Sequence, residues 1–321
     1  MKNIIWVLVE LDEGKPVRSS LEVLGKAAKL GRAEAVVLGA AAAEVAPTLG
    51  QYGAEKVYVH ADAVYDQYLT LPALETLTHL IQQYQPSLLL LASTYTLRDI
   101  AARLSVRNSM GLITDATDLT VEDDGLKVAV PWGGDTIVAV THPHQAPGIV
   151  LARPKAFPLE RYEERMAIIE RLDVAVSAVA QTIRIRETVE VQSEGPALEE
   201  ANLVVGGGRG LGKAENFPLV QALAIILGGA AGATRAIVDA GWIPYSYQIG
   251  QTGKTVKPTL YIACGISGAS QHLAGMKGSK YIIAINKDEH APIFSVADLG
   301  IVGDVVAILP KLIAEVKRRK T

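Results

Sequence analysis

The chain has 321 residues, with 31 Lys+Arg against 34 Asp+Glu and a formal charge of −3. That near-neutral balance argues against nucleic acid as a partner, because phosphate binding needs a basic surface. At 49% hydrophobic the chain can fill about two cored domains, and a single cysteine, Cys264, excludes an internal disulfide framework and a thiolate zinc site. The start, MKNIIWVLVELDEGK, turns acidic after a few apolar residues. It reads as neither signal peptide nor membrane span, so a cytoplasmic chain without membrane insertion is expected. Strands are predicted at Ile4–Val9, Ala35–Leu38, Val57–Val59 and Ser87–Leu91, and helices at Ser19–Leu30, Leu71–Tyr84 and Arg98–Val106. Strands alternating with helices, one of them apolar on both faces, predict a covered parallel sheet.

After Gly111 the runs Leu126–Val130, Thr136–Val140 and Gly148–Ala152 are strand-like, with Asp123-Asp124-Gly125 as a hairpin turn. They are read as added strands that finish the first domain, with Val174–Val179 and Ile183–Val191 extending it. Met166–Leu172 reads as helical core. His142 and His144 flank Pro143 with no third ligand nearby, so no metal site is expected. The boundaries that follow are a first domain over 1–190, a polar linker over 191–201 and a second domain over 202–321.

The second domain opens on the strand Leu203–Val205, the turn Gly206-Gly207-Gly208-Arg209-Gly210 and a helix over Asn216–Leu227. Gly207 to Lys213 fits the phosphate-loop spacing, but Ala214 stands where magnesium binding needs Ser or Thr. The dinucleotide fingerprint also fails, since its third glycine would fall on Leu211 or Lys213. Two readings remain: a tight turn without ligand, or an anion site served by free N–H groups and Arg209. Strands follow at Leu260–Cys264 and Tyr281–Ile285, and a last helix over Val305–Lys320 with Pro310 near its start or at a kink. Its basic end, Lys317 to Lys320, is a solvated helix terminus.

Polar residues crowd the strand ends of this domain: Thr234-Arg235, Gln248 to Gly253, Gly265 to His272, Asn286 to Asp288 and Asp298 to Asp304. With Ala233–Gly241, Gln248–Lys254, Leu260–Met276, Ile283–Asp288, Ala291–Phe294 and Ala297–Asp304, the chain closely resembles the alpha subunits of electron transfer flavoproteins, a group that includes FixB proteins. The match is nearly gapless over the last third. It is looser before that, in Thr96–Arg103, Arg153-Pro154 and Ala156-Phe157. Cys264 and Ser270 replace commoner aliphatic residues, Leu299 a frequent Tyr, and Gly206 a Ser or other small residue.

The resemblance implies an α/β fold: an N-terminal parallel-sheet domain with added strands, contacting a partner subunit, then a Rossmann-like FAD-binding domain. It implies one FAD here, with Arg209 and Thr234 as contacts. Ile249, Gly250, Gln251 and Thr252 form a loop near the flavin ring, with the Thr252 hydroxyl at N5 and Arg235 beside the ring. Ser267, Gly268, Ala269, Ser270, Gln271 and His272 would touch the ribityl, pyrophosphate and O2 regions, His272 near O2. Asn286, Asp304 and Val305 would lie on the adenosine side, and Gln248 is a further contact. Arg235 would favour the negatively charged forms of the flavin, and His272, if protonated, would add to this. On residue spacing alone, Arg235 could instead pair with Asp239 four positions on. The resemblance also implies an electron carrier without a substrate pocket of its own. It would work in a heterodimer with a beta subunit that holds AMP, or a second FAD in an electron-bifurcating relative. Flavin dehydrogenases would be its donors and a quinone reductase or other protein its acceptor. The reading from a different class is a non-redox nucleotide-binding scaffold.

Overall fold

The computed structural model describes residues 4–123, 125–132, 137–144, 146–163, 165–188, 196–199 and 201–320. It divides into two compact units, 1–188 and 189–321.

The first unit opens with β1 (Ile4–Val9), a two-residue ladder of β2 (Leu11–Asp12) and β3 (Lys15–Pro16), and α1 (Arg18–Leu30). Then come β4 (Arg32–Leu38), α2 (Ala42–Val45), β5 (Lys56–His60), α3 (Val64–Gln67), α4 (Leu71–Tyr84), β6 (Leu88–Ala92) and α5 (Tyr95–Arg107). Thr94 caps α5, its hydroxyl accepting from the Leu97 N–H at 3.2 Å. The chain continues through β7 (Leu112–Ala116), β8 (Asp118–Glu122), β9 (Gly125–Trp132), β10 (Ile137–Thr141), β11 (Gly148–Ala152) and β12 (Ile168–Arg171). Seven strands form a parallel sheet in the order β12-β5-β4-β1-β6-β11-β7. Every residue of β6 is buried, as a strand covered on both faces requires. Buried Glu34 is held by the Trp6 indole N–H at 3.1 Å and the Tyr58 hydroxyl at 3.0 Å, which satisfy a carboxylate that would otherwise be costly in the core.

Three sequence expectations need correction here. Gly148–Ala152 is not an appended strand: it lies inside the parallel sheet, between β6 and β7. The stretch expected to be helical contains the edge strand β12. Backbone bonds from Ile168 N–H to the Glu55 carbonyl (3.0 Å) and from Leu172 N–H to the Val59 carbonyl (2.8 Å) decide its state, and Ile168 and Ile169 are exposed. Val174–Val179 forms no strand. Of Ile183–Val191, residues 189–191 lie outside the described residues, and among those described there is a single bridge, between Tyr68 and Arg184. The pairs β8–β9 and β9–β10 build a separate three-stranded antiparallel sheet, with Glu122 opposite Gly125 across the predicted hairpin.

The second unit contains β13 (Leu203–Gly207), α6 (Phe217–Leu227), β14 (Ala230–Thr234), α7 (Arg235–Val238), β15 (Gln248–Ile249) and β16 (Leu260–Cys264). Then follow α8 (Ser270–Leu273), β17 (Tyr281–Asn286), β18 (Leu299–Val302) and α9 (Val305–Lys320), which continues through Pro310. All six strands are parallel, ordered β15-β14-β13-β16-β17-β18. In chain order this is 3-2-1-4-5-6, the doubly wound arrangement whose direction reverses between β13 and β16. Successive strand residues feed opposite cores. Val204, Tyr261, Ala263 and Ala284 pack with Ile249 and Met276. Val205, Ile262, Cys264 and Ile285 pack against Leu223 and Leu309 of α6 and α9. Most of the expected linker lies outside the described residues. Leu198 and Ala201 already belong to the core of this unit, and Glu199 pairs with Lys254 at 3.0 Å. The basic end of α9 is tied down: Arg318 and Arg319 meet Glu315 of the same helix, and Lys320 donates to the Ile226 carbonyl near the end of α6.

Candidate functional site

Ligands of an open parallel sheet collect beyond the carboxyl ends of its strands, near the point where strand order reverses. In the second unit, the residues singled out from the sequence follow those ends directly. Arg209 opens a short turn after β13, Thr234 ends β14, and Arg235 starts α7. Gln248 and Ile249 form β15 and lead into Gly250, Gln251 and Thr252. Ser267, Gly268 and Ala269 follow β16, while Ser270, Gln271 and His272 lie in α8. Asn286 ends β17, and Asp304 and Val305 open α9.

The glycine-rich turn is accounted for by backbone packing. Gly208 N–H donates to the Cys264 carbonyl and Gly210 N–H to the Gly265 carbonyl, each at 2.9 Å. A Cβ on Gly208 would stand 2.5 Å from the Gly265 oxygen, and Gly265 itself sits at φ +65° against Gly210. Those two amides are therefore spent on protein carbonyls, as the tight-turn reading requires, and α6 begins only at Phe217. Different amides are available. Those of Ser267, Gly268 and Ala269 have no backbone acceptor among the described residues. Their loop is braced from behind, since Ile293 N–H donates to the Ser267 carbonyl at 3.0 Å and a Cβ on Gly268 would lie 2.3 Å from the Ile293 nitrogen.

The loop after β15 is held from several sides. Lys254 N–H bonds the Gln248 carbonyl at 2.8 Å, and Gln251 N–H bonds the Gln271 carbonyl at 2.8 Å. Buried Gln248 donates its amide to Thr252 Oγ1 at 3.0 Å, and the Tyr245 hydroxyl donates to the Thr252 carbonyl. Exposed Thr252 thus has one lone pair engaged and its hydroxyl proton still to give.

The charge state of His272, which the sequence leaves open, is decided by its surroundings. It is only 6% exposed, with Nδ1 3.0 Å from the Ile249 carbonyl and Nε2 3.0 Å from the Tyr261 hydroxyl. A carbonyl can only accept, so Nδ1 carries the proton and Nε2 accepts from Tyr261. Burial pushes the imidazole pKa down to about 4, outweighing the opposing bond to Ile249. His272 is therefore neutral near pH 7 and supplies no positive charge.

Arg235 donates from Nε to Asp239 Oδ2 at 3.0 Å, with the two side chains 64% and 60% exposed. This is the pair that its spacing allowed. Exposed as it is, it contributes little and leaves the guanidinium free to turn. Asn286 is occupied with structure. Its Nδ2 donates to the Ile266 carbonyl at 2.9 Å, and its Oδ1 accepts from the Asp288 N–H at 3.1 Å. Asp304 caps α9, accepting from the Val306 N–H at 2.9 Å. Val305 is buried against α6, so its side chain drops out as a ligand contact. Cys264 is buried and its thiol pushed up to about 12 by that burial, which makes it an inert core residue.

Two hydroxyl oxygens stand out. Thr234 Oγ1, at the end of β14, and Ser246 Oγ, in the turn before β15, are buried without a hydrogen-bond partner. Such groups are rare because leaving them unpaired costs free energy. With the available amides after β16 and the exposed Arg209 and Arg235, they fit a ligand that carries phosphates and a polar ring edge, as FAD does. They do not suggest a metal: among the described residues no cluster of His, Cys, Asp or Glu could hold one. Sequence reasoning did not reach Ser246, Tyr245 or Tyr261. The two tyrosines hydrogen-bond partners distant in pattern, Tyr245 the Thr252 carbonyl and Tyr261 the His272 ring, and no periodicity marks them.

Comparison with known proteins gives the same assignment. Residues 197–277 match the family described as "Electron transfer flavoprotein FAD-binding domain", and residues 5–177 the "Electron transfer flavoprotein domain". The chain is 38% identical to "Electron transfer flavoprotein subunit alpha" of Thermoanaerobacterium thermosaccharolyticum, over 98% of each chain. It is 39% identical to "Protein FixB" of Clostridium saccharobutylicum, over 98% of this chain and 96% of that one. It is 43% identical to the alpha subunit of Mycobacterium tuberculosis, over 98% and 99%. Its doubly wound second unit, the polar edge of that unit and these full-length similarities together place the chain in the electron transfer flavoprotein alpha-subunit family.

Proposed function

We propose that this chain is the FAD-holding subunit of a heterodimeric electron transfer flavoprotein. It would take electrons from flavin dehydrogenases and pass them to a quinone reductase or another acceptor. The observation that carries the reading is the unpartnered, buried Thr234 hydroxyl at the carboxyl edge of a 3-2-1-4-5-6 sheet. Bound FAD would supply the electron-carrying chemistry, and the protein its position and electrostatics.

The residues divide the work. Thr234, Ser246 and the amides of Ser267 to Ala269 would bind polar atoms of the cofactor, and Arg209 would offset phosphate charge. Gln248 orients the Thr252 hydroxyl so that its proton points outward as a donor. Neutral His272 holds the Ile249 carbonyl, and with it the base of that loop. Arg235, released from Asp239, would add one positive charge near the ring. Gly250, Gln251, Ser270, Gln271, Asn286 and Asp304 complete the edge through backbone or exposed polar atoms.

The partner would be a beta subunit carrying AMP. The 39% identity to a protein named FixB supports a second version, in which the partner carries another FAD. Titration of flavin-stripped protein with FAD, followed by flavin fluorescence, tests the reading. Saturable binding of one FAD per chain is expected, with Thr234→Val weaker by about tenfold, as for loss of one hydrogen bond. No saturable binding would overturn the reading.

A further inference from the structure

Two loops of the second unit lie along the carboxyl edge of its sheet. One follows β15, from Gly250 to Thr252. The other follows β16, from Ser267 to Ala269, and leads into α8. The first is laced to α8 through the backbone. Gln251 N–H donates to the Gln271 carbonyl at 2.8 Å, and a Cβ on Gly250, at φ +140°, would stand 2.8 Å from that same oxygen. A side chain adds to this lacing, because His272 of α8 reaches the carbonyl of Ile249, the residue just before Gly250.

Behind His272 lies Tyr261 of β16. It is fully buried, and its hydroxyl is 3.0 Å from His272 Nε2. That hydroxyl has no other hydrogen-bond partner among the described residues. Gly206 of β13 makes the room: a Cβ there would stand 2.1 Å from the phenolic oxygen and 2.8 Å from Cζ. Any side chain at position 206 would force the phenol to move.

Valence admits one arrangement. A neutral imidazole has one donor and one acceptor nitrogen. The Ile249 carbonyl takes the donor, so Nε2 must accept, and Tyr261 supplies the proton. Burial holds the Tyr261 phenol well above its ordinary pKa, so the hydroxyl keeps that proton. With the imidazole proton on Nε2 instead, the Nδ1 lone pair would face the carbonyl oxygen and the Tyr261 proton would have no acceptor. Without the hydroxyl, Nε2 is a buried acceptor left unpaired, which costs free energy and loosens the hold of the ring on Ile249.

We infer that Tyr261 is a positioning residue for the FAD site, which fixes the His272 tautomer and through it the Ile249 carbonyl and the spacing of the two loops. The inference rests on the FAD reading proposed above. A site held in its binding geometry in advance loses less on ordering, so the effect falls on affinity.

Imidazole nitrogen NMR of the full flavin-stripped chain reads the tautomer, with His272 assigned by its loss in His272→Gln. In the wild type Nδ1 should be protonated, and Nε2 unprotonated and hydrogen-bonded. Tyr261→Phe keeps the ring in the core and removes only the hydroxyl. Its Nε2 signal should move to that of an acceptor without a partner, and its FAD affinity, followed by flavin fluorescence, should fall about tenfold. A merely structural hydroxyl would lower the unfolding midpoint of Tyr261→Phe and leave FAD affinity at the wild-type value. That result would overturn the positioning role and leave the FAD reading standing. A wild-type chain with the His272 proton on Nε2 would overturn it too, whether or not the variant folds. No saturable FAD binding by the wild-type chain would instead overturn the FAD reading itself.

Discussion

At the residue scale, the site is a set of side chains with unequal duties. Arg235 is the residue whose two readings diverge most. As a charge near the flavin ring, its replacement in Arg235→Ala should lower the first reduction potential by on the order of 100 mV. Arg235→Lys should recover part of the loss, since it keeps charge without the planar fork. As the Asp239 ion pair alone, the same change would leave the potential at the wild-type value, a distinction spectroelectrochemical titration resolves. His272 makes a different prediction. Its pKa is about 4 in the folded chain, below the ordinary value of 6.5, so the unfolded chain binds the extra proton first. The stability from this group is complete above pH 6.5 and is lost as pH falls toward 4, by on the order of 3 kcal/mol. His272→Gln should lack that component when unfolding is followed from pH 7 to pH 4. An equal acid loss in wild type and variant would mean that the imidazole is not held neutral. The sequence pointed to Arg235, Thr252 and His272 as residues but not to their states. Neutrality of His272 follows from the depth of its burial, which is not visible in spacing.

At the element scale, the strands and long helices were legible because their apolar periods are clean. Leu260–Cys264 and Val305–Lys320 match expectation residue for residue. What failed were short segments whose state is decided by partners. The four residues of β12 become a strand because β5 offers an open edge, not because IIER prefers one. The glycine turn was ambiguous for a similar reason. The same residues suit an anion or a close crossing of two chains, and only the tertiary structure shows Gly208 and Gly210 pressed on Gly265. That crossing predicts a sharp cost. Gly265→Ala would place a Cβ 2.8 Å from Gly210 at φ +65°, and should destabilise the second unit by about 2 kcal/mol or more. Denaturant unfolding would show it as a lower midpoint at unchanged slope. At the start of α5, Thr94→Ala should cost about 1 kcal/mol, as loss of a helix cap does. A variant with wild-type stability would remove the cap from the account.

At the scale of the whole molecule, the two-unit α/β organisation was legible from the alternation of strands and helices. The insertion of β11 between β6 and β7 was not, because nothing local in Gly148–Ala152 specifies its neighbours. The unpartnered hydroxyls of Thr234 and Ser246 fit a chain that is completed by a cofactor. Binding to the folded state stabilises it by mass action. Co-expression with the beta subunit should therefore raise both the melting temperature and the flavin occupancy over those of the chain purified alone. Equal values would separate assembly from cofactor retention. The central claim is that the second unit holds FAD, and the flavin content of the purified heterodimer tests it most directly. Release of bound nucleotides and their quantification by chromatography should give at least one FAD per heterodimer, with flavin absorption bands in the intact protein. A colourless heterodimer that contains no FAD, and takes none up on incubation with it, would contradict the account.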